Sequence, residues 1–416
     1  MRTLQEWLSH IYALHPKHIE FGLTRIQQVA ERLSLTKFSV PVITIGGTNG
    51  KGSTAKTLAS IYQTAGYKTA LYTSPHILHF NERICINHHA VDDAALCNAF
   101  DVIEKTRGDI SLSFFEYTTL AALYLFQLAK PDVIILEVGL GGRLDAVNCV
   151  DSDVAVVTSI ALDHEQYLGN TREAIAYEKA SIARAGKPFI CGDPDPPKTL
   201  FETVSQCGAQ LQFFSTIIKN DHWLFSMNDT HIVLPFTHLK IQNIACALAV
   251  MTTLLAVLPV SLDTAKQGII ETYWPGRFEH FHHPFHGILD VAHNPAATAW
   301  LCAQYQRLPK VAHTIGVVGM LKDKAMRDSV AALLSCIDEW IVCDLRQEDP
   351  ERGADGSVIV QFLTEQDKNC TIFNTTDAAM QFVANRHCQH HCDRVLIFGS
   401  FVMVAAAQRW LAAFKH

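Results

Sequence analysis

Gly47-Thr48-Asn49-Gly50-Lys51-Gly52-Ser53 follows the apolar run 40–45 directly and precedes a helix-forming stretch, residues 54–65. Strand, glycine turn, lysine, hydroxyl and helix in that order describe a phosphate cradle. Glycines let the backbone N–H groups curl inward, and the helix N-terminus adds positive potential. Lys51 adds a full charge, and the Ser53 hydroxyl can face a metal or a phosphate. The pattern predicts a bound nucleoside triphosphate, with Thr48, Asn49, Gly50, Lys51, Gly52 and Ser53 around its phosphates. It is a variant loop, because Ile45 stands where the standard motif has glycine and Gly52 where it has Ser or Thr. A glycine turn beside a solvated lysine is the bland alternative, and the flanking strand and helix count against it.

A chain of 416 residues is too long for one average domain, so at least two are expected. Hydrophobic residues at 49% and charged residues at 18% supply a large core and argue against disorder. No apolar stretch is long enough for a membrane helix, and the first residues lack the apolar core of a signal peptide, so a cytoplasmic protein without a membrane partner is expected. Twelve cysteines are scattered without a CxxC pair and read as buried small apolar residues or as free thiols in a reducing compartment, so disulfides are not expected. A net charge of −7 with no basic run disfavours nucleic acid as a partner but leaves room for a local anion pocket.

Along the chain, short runs apolar at consecutive positions (69–72, 133–138, 154–159, 188–191) alternate with helix-like stretches such as 115–129 and 172–185. Such strands suit a parallel sheet covered on both faces, a doubly wound α/β domain. A second series starts near residue 287, with strands at 288–291, 314–318, 340–343, 371–373 and 395–398 and helices at 298–306, 325–336, 378–384 and 403–414. It reads as a separate Rossmann-like domain. Tyr273-Trp274-Pro275-Gly276-Arg277 lies between the two series and breaks helices, so the expected domains are 1–274 and 275–416 with a hinge at this point.

In an open α/β sheet the ligand crevice lies outside the carboxyl ends of the strands. Residues 133–136 lead to Glu137-Val138-Gly139-Leu140-Gly141-Gly142-Arg143-Leu144-Asp145, a carboxylate followed by a glycine turn. The next strand, 154–159, is followed by Leu162-Asp163-His164. A carboxylate and an imidazole from neighbouring strands, facing a phosphate loop, suit a divalent cation bridging phosphates. Each alone also reads as a capping group. The crowded His387, Cys388, His390, His391 and Cys392 are too tightly spaced for ordinary zinc sites. His280, His282, His283 and His286 read as an exposed hairpin edge.

Together with these stretches, Thr73-Ser74-Pro75-His76, Pro275-Gly276-Arg277-Phe278-Glu279, Asp290-Val291-Ala292-His293-Asn294-Pro295 and Gly399-Ser400-Phe401 stand in the order seen in folylpolyglutamate synthases. The chain most closely resembles the bacterial bifunctional dihydrofolate synthase/folylpolyglutamate synthases of the Mur-ligase superfamily, over nearly its whole length. The resemblance implies an N-terminal P-loop domain of the Mur-ligase central type and a C-terminal Rossmann-like domain. It also implies an ATP-dependent amide ligase in which a pterin-linked carboxylate takes the γ-phosphoryl group and the amine of L-glutamate attacks the acyl phosphate. Substrates would be dihydropteroate and reduced folates, with magnesium as cofactor and a monomer as the working form.

By similarity, Ser74, Glu137 and His164 would hold magnesium, and Asn243 and Arg277 would contact ATP. Asp290 would face the nucleotide, and His293 would share that role near the reacting phosphate. Lys51, Lys179, Asp290 and His293 are the expected catalytic residues, and Lys179 in Glu178-Lys179-Ala180 would carry a carbamate. A lysine in a helix otherwise reads as a solvated surface charge. Closure of the hinge near Pro275 would shield the acyl phosphate from water. For the pterin the family points to Ser113 and Phe115, to Leu144, Asp145 and Ala146, and to Glu20 and Phe21 in Ile19-Glu20-Phe21-Gly22. On composition alone Phe115 reads as core. Ser181 and Val402 depart from the family pattern, which has glycine and histidine there. Three functions stay open: the bifunctional ligase; a ligase limited to folate extension or acting on cell-wall precursors; and a non-enzymatic P-loop switch, which would not need the second domain.

Overall fold

In the computed structural model, which describes residues 2–15, 20–387 and 393–414, the strand before the glycine loop lies inside the first sheet. The strands are β1 (Val42–Gly46), β2 (Thr69–Tyr72), β3 (Ile84–Ile86), β4 (His89–Ala90), β5 (Val133–Glu137), β6 (Val154–Val157), β7 (Pro188–Cys191) and β8 (Gln210–Gln212), in the order β4-β3-β2-β5-β1-β6-β7-β8. From β2 to β8 neighbours run parallel, and every residue of β1 and β5 is buried, as expected of strands covered on both faces. The register pairs Ile45 with Glu137 and Gly46 with Val157, so the loops after β1, β5 and β6 leave from one edge of the sheet.

The chain divides into two compact units, Met1–Tyr273 and Trp274–His416. The first also holds a small antiparallel sheet, β9 (Ser215–Ile218), β10 (His222–Met227) and β11 (Thr230–Pro235), in the order β11-β10-β9. Trp223, Phe225 and Met227 alternate inward along β10. The second unit has β12 (Glu279–Phe281), β13 (Gly287–Asp290), β14 (His313–Val318), β15 (Glu339–Cys343), β16 (Cys370–Phe373) and β17 (Asp393–Phe398), in the order β12-β13-β17-β14-β15-β16. Only the edge strand β12 is antiparallel, and Trp340 and Phe398 anchor the core between sheet and helices.

Five features differ from the sequence reading. The helix after the glycine loop starts at Lys51, not residue 54, so Gly52 and Ser53 form its first turn and their N–H groups point out of the helix end. The antiparallel edge β3–β4 and the sheet β9–β11 went unread, although the alternation of β10 is a strand signal. The helix expected over 325–336 is Met326–Ala331. Tight bonds take over beyond it, with Leu333 N–H donating to Val330 O and Cys336 N–H to Leu333 O. The helix expected over 172–185 is Arg172–Ala180.

Candidate functional site

The glycine loop is pinned from β6. Thr48 N–H donates to Ser159 O (2.8 Å), Asn49 N–H to Ser159 Oγ (3.1 Å), and the Thr158 hydroxyl to Asn49 O (2.8 Å). Gly50 sits at φ +93°, a conformation side chains rarely adopt, and a Cβ there would lie 2.1 Å from Asn243 Oδ1. Asn243, buried on the helix Ile241–Leu254, is thus held against the loop, and its carbonyl accepts from Thr54 Oγ1 (3.1 Å). Lys51 Nζ donates to Gly47 O (2.9 Å) and Thr48 O (3.3 Å), curled over the loop that a phosphate would enter. Gly50→Ala is expected to lower stability by about 1–3 kcal/mol through backbone strain and to weaken nucleotide binding by displacing Asn243. Thermal melts with and without ADP check both; unchanged ADP-induced stabilisation would refute the Asn243 contact.

At the carboxyl end of β5, buried Glu137 accepts from the Ser74 N–H at 3.0 Å. The Thr73–Pro75 turn is thereby fixed beside the loop strand. His164 follows β6 at φ +53°, its N–H bound to Asp163 Oδ1 (2.9 Å). Among the described residues no three histidine, cysteine or carboxylate side chains gather to hold a metal. The expected set is one carboxylate, one hydroxyl and one imidazole. Such a set fits a hard cation that takes most of its ligands from phosphate and water.

Lys179 is buried on the helix Arg172–Ala180. Burial first, then the charge of Lys51, pulls its amine down to about 7, against the opposing carboxylates of Asp163, Asp145 and Glu178. The burial follows from close packing: a Cβ on Gly142 would lie 2.8 Å from Glu178 O, and Arg143 grips the Glu178 carboxylate (2.9 Å).

The Phe115 ring is half-buried, stacked on Tyr72 (5.9 Å, 27°) and lying over Gly139, where a Cβ would come within 2.5 Å of the ring. Asp145 is fully buried. Its Oδ2 accepts from Leu140 N–H (2.8 Å) and its Oδ1 from Val147 N–H (3.1 Å), and burial pushes its carboxyl up to about 7. It caps the short helix Ala146–Cys149, behind half-buried Leu144 and buried Ala146. Ser113 caps the helix Phe114–Ala129 in a capping box with Glu116. Asp145 and Ser113 therefore clamp backbone as well as standing in the expected pterin region.

Glu20 joins a cluster whose other members, His15, Arg25, Ser111 and Glu116, the sequence does not announce. Buried His15 bridges Glu20 and the Ser111 hydroxyl (2.7 Å from Nδ1), and Arg25 joins Glu20 (3.4 Å) to buried Glu116 (3.3 Å). Phe21 packs edge-on against Tyr167 (6.0 Å). Ile19 lies outside the described residues.

In the second unit, Asp290 ends β13 fully buried. Its oxygens accept from Phe278 N–H and Ala292 N–H (2.8 Å each); burial pushes its carboxyl up, and Arg277 opposes that. Arg277 lies over the Phe401 ring (5.0 Å), which also meets His293 (6.2 Å), and His293 Nδ1 is 2.8 Å from Val291 O. Asn294 caps the helix Pro295–Tyr305 and Ser400 the helix Phe401–Ala413. Arg277, Asp290 and His293 are thus brought together around the carboxyl ends of β13 and β17.

His282 and His286 face one another (Nδ1 to Nδ1, 3.0 Å) where β12 turns into β13. Cys388, His390, His391 and Cys392 lie outside the described residues, as does the side chain of His387.

Two family models match: Mur ligase middle domain over residues 45–251 and Mur ligase, glutamate ligase domain over 276–401. The dihydrofolate synthase/folylpolyglutamate synthase of Escherichia coli K12 is 42% identical over 97% of this chain and 94% of its own length. The chain belongs to the Mur ligase family. Within it, the chain is an ATP-dependent ligase of the dihydrofolate synthase/folylpolyglutamate synthase type. A solved structure of E. coli FolC in complex with DHPP and ADP superposes with a TM-score of 0.93 at 40% identity, covering 99% of this chain and 98% of that one. A bifunctional folylpolyglutamate synthase/dihydrofolate synthase with Mn, AMPPNP and L-glutamate bound gives 0.90 at 39%, with the same coverage. The P-loop and the Ser74, Glu137, His164 and Lys179 positions fall within the middle-domain match, and Arg277, Asp290 and His293 within the glutamate ligase domain. Among the described residues no helix is long and apolar enough to cross a membrane.

Proposed function

We propose that the chain joins L-glutamate through an amide bond to dihydropteroate, giving dihydrofolate, and then to reduced folates, giving polyglutamates, each time by way of an acyl phosphate. One observation carries the reading. Glu137, on the phosphate-loop side, and Gly139, under the Phe115 ring, stand two residues apart on one strand end. The same strand end thus presents both a ring platform and a carboxylate beside the phosphate loop, which suits a substrate that carries a flat ring and, further along, a carboxylate to be phosphorylated.

Each residue then has a task. The N–H groups of the loop and of the first turn of the helix from Lys51 bind phosphate oxygens, and Lys51 Nζ leaves the loop carbonyls to follow the charge that develops on the transferred phosphoryl group. Asn243 holds Gly50 in place for that contact. Glu137, Ser74 and His164 would hold a divalent cation, which supplies charge neutralisation of the triphosphate when bound. Lys179, its amine poised near neutrality, takes up carbon dioxide as a carbamate and turns a cation into an anion beside the cation site. Arg277, Asp290 and His293 contact the nucleotide, with Asp290 fixing the Phe278 and Ala292 backbone. Phe115 offers its face to the pterin. Asp145, near its midpoint at neutral pH, can give or accept a hydrogen bond at the ring. The working form is read as a monomer in the cytoplasm.

The test is ADP release with dihydropteroate, and separately with tetrahydrofolate, each with and without L-glutamate. Glutamate-dependent release with both supports the reading; release with tetrahydrofolate alone reduces the chain to a folate extender, the second reading. Phe115→Ala is expected to raise the dihydropteroate KM roughly tenfold, the loss of one stacked ring, and to affect tetrahydrofolate less. Equal effects on both substrates would remove Phe115 from pterin discrimination.

A further inference from the structure

Cys302 and Cys336, 34 residues apart in sequence, bring their Sγ atoms to 2.7 Å. That is closer than the roughly 3.5–4.0 Å of ordinary contact between heavy atoms. Cys302 lies two turns into the helix Pro295–Tyr305 and is buried. Cys336 is half-buried next to the exposed Ser335, whose hydroxyl is 3.8 Å from its sulfur. Both backbones are fixed. Cys302 O accepts from Gln306 N–H (2.9 Å), Cys336 N–H donates to Leu333 O (2.9 Å), and the neighbours Leu301, Leu333 and Ile337 are core residues of the unit. The sulfurs therefore face each other without a conformational search, and neither residue belongs to the nucleotide or pterin assignments.

We propose that Cys302 and Cys336 are a modification site that forms a reversible disulfide when the folded protein meets a hydroperoxide. The more accessible Cys336 reacts first: its thiolate attacks the peroxide, the O–O bond breaks, and the products are a sulfenic acid and water (or an alcohol). The Cys302 sulfur then attacks the sulfenic sulfur. An S–S bond forms, the S–O bond breaks, and the departing hydroxide takes the Cys302 proton as water. Burial and the neighbouring sulfur push the Cys302 thiol up to about 11, which keeps it protonated and leaves the first step to Cys336. A dithiol reductant restores both thiols.

The experiment treats the full chain, folded, with hydrogen peroxide in modest excess, and maps peptides without reduction. Expected is a linked pair of peptides carrying Cys302 and Cys336, lighter by two hydrogens, formed before any other cysteine pair and lost on adding dithiothreitol. Cys302→Ser should leave a dimedone adduct on Cys336, whereas Cys336→Ser should leave none on Cys302. Both variants should keep glutamate-dependent ADP release, which shows that they fold; Cys302→Ala and Cys336→Ala replace them if they do not. Absence of the linked peptide, its appearance only after denaturation, or equally fast pairing of other cysteines would overturn the proposal.

Discussion

Lys51→Ala lowers glutamate-dependent ADP release by about 10²-fold or more, because one phosphate-facing charge contributes about 3 kcal/mol or more to the transition state. The fold is expected to survive, since Nζ donates to carbonyls of its own loop, Gly47 and Thr48, and not to a distant core element in those bonds. The substitution has a second consequence that a simple phosphate contact would not. Lys51 is the second-largest influence holding the Lys179 amine down near 7. Without it Lys179 keeps its proton to higher pH and takes up less carbon dioxide at neutral pH. Steady-state kinetics and circular dichroism check the first part, and carbon dioxide trapping on Lys179 the second. Near-normal turnover with an unchanged spectrum would refute the phosphate role. Glu137→Gln separates charge from scaffold at the neighbouring position: an oxygen remains to accept the Ser74 N–H, so turnover should fall while the melting temperature holds.

Lys179→Ala is the second large loss, expected at about 10²-fold or more if an anion at this position supports phosphoryl transfer. Short carboxylates such as acetate or formate should restore part of the activity by placing a carboxylate in the space left by the side chain. The pH dependence follows from the lowered amine. Carbamate forms on the neutral amine, whose fraction grows as pH rises through about 7 and shrinks below it. Wild-type activity at limiting carbon dioxide should therefore fall on the acid side of pH 7, and Lys179→Ala rescued by acetate should lose that limb. A fully active Lys179→Ala, or an acid limb unchanged in the rescued variant, would sink the carbamate.

Much of this was legible because phosphate chemistry imposes local spacing. The turn from Gly47 to Ser53 and the carboxylate at Glu137 sit where an apolar strand ends, the Asp163-His164 pair lies in the loop after the next one, and strands apolar at successive residues signal a parallel sheet. The rest depends on contacts distant in sequence. Nothing near Lys179 marks it as buried; the cause is Gly142, whose lack of a side chain lets the helix backbone at Glu178 close over the turn. Arg25 finds Glu116 across 91 residues, a pairing no local window contains. Ser113 and Asp145 are expected at the pterin ring by resemblance, and the structure also employs both as helix caps, a role set by local backbone geometry. Lys51 opening the helix was hidden because Gly52 and Ser53 are poor helix formers. The small antiparallel sheet carries its signal only in the alternation of β10, set among strands that are apolar at successive residues.

The most direct measurement uses dihydropteroate labelled with ¹⁸O in its carboxylate, together with ATP and L-glutamate. If the carboxylate is activated as an acyl phosphate, one labelled oxygen leaves with the phosphate as the amide forms. Mass spectrometry should then find dihydrofolate and inorganic phosphate carrying a single label. Dihydrofolate accompanied by unlabelled phosphate would contradict the account, because the carboxylate would then have reached the amide without ever bonding to the phosphoryl group.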